Sequence, residues 1–208
     1  MLLLAQVLCR QIAEKFFVEL DWSTLSGWDK AYTYRTGNIA RVVVDALTNP
    51  TFIPSLGKPL TEFPIHMIGH SRGASLICEM AGYLQQKGIW VNQLTALDPH
   101  PLLYDAPVRV FSNVLFADNY YEKNAGNLIQ GQPVDGAHNV NLTNIVTGEG
   151  SGLAHSRIHT YYHGTIDLNA TTDGDGGTIQ TSWYDTTLTP SRPARNATAD
   201  IPHFDSED

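Results

Sequence analysis

Apolar positions along this chain switch between helical and strand periodicity. Leu4, Val7, Leu8, Ile12 and Phe16 recur at helical spacing and predict a core-facing N-terminal helix. Phe16–Leu20 (FFVEL) predicts a short strand ending at Asp21-Trp22, followed by a polar, aromatic loop and a helix over Gly37–Leu47 that Asn49-Pro50 stops. Residues 49–63 carry three prolines and read as a connection. Ile65–Ile68 is apolar apart from His66, a pattern suited to a strand buried on both faces. Ala74–Gln86 reads as a helix closed by Gly88, Ile89–Leu97 as a strand ending at Asp98-Pro99, and Val108–Phe116 as a third strand followed by Asp118. Val140–Leu142 marks one more short strand, and Tyr161–Ile166 a helix or final turn. Alternation of strand and helix predicts an α/β fold, a mostly parallel sheet with helices on both faces and right-handed crossovers. Residues 1–185 are expected to form one domain, and residues 186–208, polar and proline-bearing, a C-terminal tail.

Composition narrows the function. The 208 residues are 42% hydrophobic and 16% charged, enough for one substantial core. The formal net charge of −8, with no basic cluster, argues against nucleic-acid partners and against an anionic membrane surface. No apolar run is long enough to span a bilayer, so stable membrane insertion is not expected. The N-terminus lacks the basic region and small-residue cleavage site of a signal peptide. Cys9 and Cys78 are too few for a disulfide framework or thiolate metal site, and both fall in segments read as helices, where buried thiols are expected.

The sharpest chemical signal is Gly69-His70-Ser71-Arg72-Gly73, which follows a strand and opens a helix. That is the context of a nucleophile elbow. A tight turn there projects the Ser71 hydroxyl beyond the sheet, and Gly69 and Gly73 are expected to relieve clashes between strand and helix. The backbone N–H of Arg72, at the positive end of a helix, is the expected oxyanion donor. A serine nucleophile needs a base and a group that orients it. Asp98, at the end of the next strand, is the favoured acid, with Asp118 its competitor. Among eight histidines, His138, His155, His159 and His163 remain as candidate bases, and His155 follows a Gly-rich loop after the last strand, where the base belongs. His159 lies four residues on, but no HExxH glutamate accompanies the pair, so no metal and no cofactor are expected. Asp173-Gly-Asp175-Gly-Gly looks like half a calcium loop without its terminal carboxylate and reads as an Asp-Gly turn.

Four patches in order resemble the pancreatic-type lipase family of α/β-hydrolases: FFVELDWS with Asn38, Arg41, Val42 and Val43 after it, IHMIGHSRG, LTALDPHP and AHSRIHTYY. Carried over position by position, the resemblance implies Ser71 as nucleophile, Asp98 as acid and His155 as base. It implies an ester hydrolase acting on a small-molecule acyl ester or lipid, and suggests secretion. Departures shape the expectation further. Family members carry a strand and a His-Gly-type loop before the segment matching residues 1–20, and that loop supplies the second oxyanion donor. Here the chain reads as N-terminally shortened, and an open sheet edge would invite a second chain. Only Thr143–Ala154, rich in glycine, stands where the lipases have a long apolar lid, so short or soluble esters are the expected substrates. The alternative is a weak or silent hydrolase-like binding module with an incomplete oxyanion hole.

Overall fold

Among the described residues two β-sheets form, and both can be traced to where backbone groups find partners. The computed structural model describes residues 6–12, 15–124, 131–146, 153–167 and 169–184. The proposed tail at 186–208 and the middle of the Gly-rich loop lie outside the described residues. The first sheet is a hairpin of β1 (Gln6–Ile12) and β2 (Lys15–Asp21), antiparallel and in register from Gln6↔Asp21 to Ile12↔Lys15. This corrects the expected N-terminal helix. Seven consecutive cross-strand pairs satisfy the backbone here, and that tertiary pairing overrides the helical spacing of the apolar residues. Cys9 is therefore on a strand, whereas Cys78 is buried on a helix as expected.

The second sheet has the order β3-β4-β5-β6, with β3 His66–His70, β4 Val91–Leu97, β5 Val114–Tyr121 and β6 His138–Asn141. All three pairings are parallel, so the α/β expectation holds at the level of a parallel sheet packed with helices. After the one-turn α1 (Ser23–Ser26) come α2 (Thr36–Leu47), α3 (Arg72–Gln86) and α4 (Leu153–Ile166). Successive strand residues face opposite ways. Met67 and Leu94 meet Ala40, Val43 and Val44 of α2 and Leu76, Met80 and Leu84 of α3 in one core. Leu97 and Tyr120 meet Ile158, Tyr161 and Tyr162 of α4 in the other, with Ile179, Trp183 and Tyr184 behind them. Fully burying a side chain such as Leu84 stabilises by about 1.5–3 kcal/mol.

Two strand readings need correction. β3 is not buried on both faces: it is an edge strand, its residues alternate, and Ile68 is 47% exposed. The third strand begins at Val114 instead of Val108. Residues before it are claimed by other contacts: Phe111 packs so closely on Gly82 of α3 that a Cβ there would lie 2.8 Å from its ring. Asn113 then donates through Nδ2 to the carbonyls of Ala81 (3.1 Å) and Ile89 (2.8 Å). The strand consequently extends to Tyr121, and Asp118 lies inside it. α3 ends where Gly88 takes φ 71°, a conformation suited to glycine, with the Ile89 N–H donating back to the Leu84 carbonyl at 3.0 Å.

Candidate active site

Ser71 stands between the last residue of β3 and the first of α3 with φ 56° and ψ −122°. A β-substituted residue holds such a conformation only when its surroundings compel it, and it stores about 1–3 kcal/mol of strain. Two backbone bonds do the compelling: the Ser71 N–H donates to Leu97 O (2.8 Å), and its carbonyl accepts from the His100 N–H (3.2 Å). Gly69 is required as expected, because a Cβ there would sit 2.4 Å from the Gly73 carbonyl oxygen. Gly73 differs from expectation: a Cβ on it would meet nothing within 4 Å, so its side chain is not what the turn excludes. Arg72 opens α3, where the first N–H groups have no intrahelical acceptor, which leaves its amide free for an anion.

Asp98, immediately after β4, also has positive φ (46°) and is fully buried. Its carboxylate is held on both oxygens. Oδ1 accepts the Glu122 N–H (2.8 Å), and Oδ2 pairs with His155 Nδ1 at 2.5 Å. Loss of solvent pushes the Asp98 carboxyl above its ordinary range, while the His155 and Glu122 hydrogen bonds work the other way. Gly131 completes the cradle, since a Cβ there would lie 2.0 Å from Asp98 Oδ1. No local pattern around Gly131 reveals that role, because the clash is with a residue remote in sequence.

His155 lies in the first turn of α4, and its side chain is 13% exposed. Its ring centroid is 4.6 Å from that of His70, within the elbow, and 6.4 Å from that of His100, which follows β4. Among the described residues the Ser71 hydroxyl makes no hydrogen bond. Side-chain hydrogen bonds in a ligand-free site are often long and close only around a ligand. Of the competing groups, Asp118 accepts from Thr95 Oγ1 (2.6 Å) and is buried within β5. His159 faces Asp173 (3.1 Å), so His155 and His159 serve different carboxylates. His66 bonds Thr95 Oγ1 at 2.9 Å. His203 lies outside the described residues.

The Asp173-Gly-Asp175-Gly-Gly segment is a side-chain-bonded turn. Asp173 Oδ1 accepts the N–H groups of Asp175 (3.1 Å) and Gly177 (2.6 Å), and Oδ2 accepts from Thr160 Oγ1. Donor protons converge on this carboxylate where a calcium loop would present oxygens.

One part of the site has no local sequence signal. The Arg72 side chain is buried and forms two bonds to Asp105, from Nε (2.6 Å) and from Nη2 (3.0 Å). It also donates to the carbonyls of Leu25 (3.2 Å) and Tyr34 (2.6 Å), and it lies over the Trp22 ring at 5.1 Å. Asp105 accepts the N–H groups of Thr36 (3.0 Å) and Leu102 (3.2 Å) as well. Burial opposes the Asp105 charge, but these bonds outweigh it and hold the carboxyl below its ordinary range. The loops after β2 and β4 are thus knotted onto the residue that follows Ser71. Around the knot the rim is aromatic: Trp28 packs on His100 (5.8 Å), Tyr32 on Tyr104 (5.1 Å), and Leu103 is 86% exposed.

Among the described residues no helix is long and apolar enough to cross a membrane. Comparison of the chain with protein-family models, with curated proteins and with solved structures gave no match in any of the three.

Proposed function

We propose that this chain is an α/β-hydrolase-like serine hydrolase acting on carboxylic esters, of lipase or esterase type. The observation that carries the reading is a serine in a strained strand-to-helix turn, preceded by a histidine whose ring packs on a second histidine, His155, that is bonded through Nδ1 to a buried aspartate. Resemblance of four sequence patches to the pancreatic-type lipases supports the ester assignment.

In this reading Ser71 Oγ attacks the acyl carbonyl carbon while its proton passes to His155 Nε2. The carbonyl oxygen becomes an oxyanion, for which the Arg72 N–H is one donor. Asp98 accepts from Nδ1–H, so it holds the imidazole in the tautomer with a bare Nε2 and stabilises the imidazolium that forms. Collapse of the intermediate breaks the ester C–O bond, and His155 returns its proton to the departing alkoxide. A water molecule then repeats the sequence on the acyl-enzyme, with His155 again as base, and releases the acid. No step calls for a metal or organic cofactor. Short or soluble acyl esters are the proposed substrates, since the loop before α4 is brief and rich in glycine.

The test is intact mass after exposure to a fluorophosphonate probe, on wild type, Ser71→Ala and His155→Ala. A single adduct, absent from Ser71→Ala and much slowed in His155→Ala, is expected. A folded wild type that takes up no probe overturns the reading in favour of a silent hydrolase-like binding module.

A further inference from the structure

Ser71 and His155 belong to different elements, and no hydrogen bond joins their side chains, so something else must set their separation. His70 is the residue in position to do so. It ends β3, next to Ser71, and its Nε2 is 3.0 Å from the His155 carbonyl oxygen in the first turn of α4. A carbonyl only accepts, which places the His70 proton on Nε2. The same ring lies against the His155 ring, 4.6 Å between centroids and tilted by 39°. One side chain therefore ties the base's backbone to the nucleophile strand and blocks the base's ring from one side.

The Asp98–His155 bond alone leaves the imidazole free to swing about its Nδ1 end. Contact with a second ring removes that freedom. His70 is itself backed by His159, whose ring stands edge-on at 5.1 Å and is held at Nδ1 by Asp173. Loss of solvent, then the neighbouring His155 and His159, push the His70 pKa down to about 3, so the brace stays uncharged at neutral pH.

We propose that His70 is a positioning residue for the base: its donor bond and ring contact hold His155 in line with Ser71. The proposal rests on reading Ser71, His155 and Asp98 as the reacting set. The experiment compares wild type with His70→Leu, which removes donor and ring, and His70→Gln, whose amide nitrogen can occupy the place of Nε2. Two quantities are measured: the second-order rate of fluorophosphonate addition, and the far-downfield proton NMR signal of the Asp98–His155 hydrogen bond, assigned by its loss in Asp98→Asn.

A small misplacement of reacting groups costs up to about 100-fold in rate. His70→Leu is accordingly expected to slow addition by about 30- to 100-fold and to broaden or shift the proton signal. His70→Gln should recover most of both, with thermal midpoints of the two variants alike. Wild-type rate and signal in His70→Leu would overturn the proposal. So would equal losses in the two variants. Should His70→Leu not fold, His70→Phe keeps a ring and drops only the donor, and must fall below His70→Gln in rate. A wild type that takes up no probe defeats the catalytic reading, yet the proton signal still decides whether His70 orders the His155 ring.

Discussion

Removing the Asp105 carboxylate tests whether the knot beneath the elbow is structural. The Arg72 and Asp105 side chains are 6% and 0% exposed, so Asp105→Ala leaves a guanidinium buried without its counter-charge. Breaking a buried pair in this way costs about 3–5 kcal/mol. Two carbonyls and the Trp22 ring remain with Arg72, which argues for the lower end, about 3 kcal/mol. With a urea m-value of about 2–3 kcal/mol/M, the unfolding midpoint should fall by about 1–1.5 M. The double variant Arg72→Met/Asp105→Leu removes both charges and should be more stable than Asp105→Ala alone, because an apolar pair carries no stranded charge. Urea unfolding followed by circular dichroism measures both. A loss under about 1 kcal/mol in Asp105→Ala, or a double variant less stable than it, would refute the argument. Probe addition should slow in Asp105→Ala, since the Arg72 amide sits on the same residue as the displaced guanidinium.

Four further outcomes are expected. Gly131→Ala should slow probe addition at least about tenfold and lower the thermal midpoint, because its Cβ would overlap Asp98 Oδ1. Gly73→Ala should instead be neutral or stabilising by up to about 1 kcal/mol, as an alanine in a helix with open space around it, and an equilibrium melt distinguishes the two. The Asp105 carboxyl is held below the ordinary aspartate value of 3.8, so its stabilisation is complete above that pH and is lost as pH falls through the lower folded value. The thermal midpoint of wild type should therefore drop more steeply below about pH 4 than that of Asp105→Asn. Burial pushes the Cys78 thiol up to about 11, so iodoacetamide at pH 8 should label it only when urea unfolds the chain.

The sequence determined whatever depends on neighbours along the chain. Apolar runs bounded by turn residues located β2, β4 and α3 to within a residue or two, and the elbow motif between strand and helix marked Ser71 and the need for Gly69. The order of the motifs favoured Asp98 and His155 among several candidates, the resemblance to the lipases implied both, and the structure brings those two together at 2.5 Å. Everything set by partners distant in sequence was decided only by the tertiary structure. Antiparallel pairing turned an apparent N-terminal helix into a strand, and a packed Phe111 and a bonded Asn113 moved the start of β5. The Arg72–Asp105 knot, the glycine at 131 and the placement of His70 against His155 have no local signature. The physical reason is the range of the forces involved. Periodicity and turn chemistry act over a few residues, whereas a buried charge finds its counter-charge, and a strand its register, only after the chain has brought remote segments together.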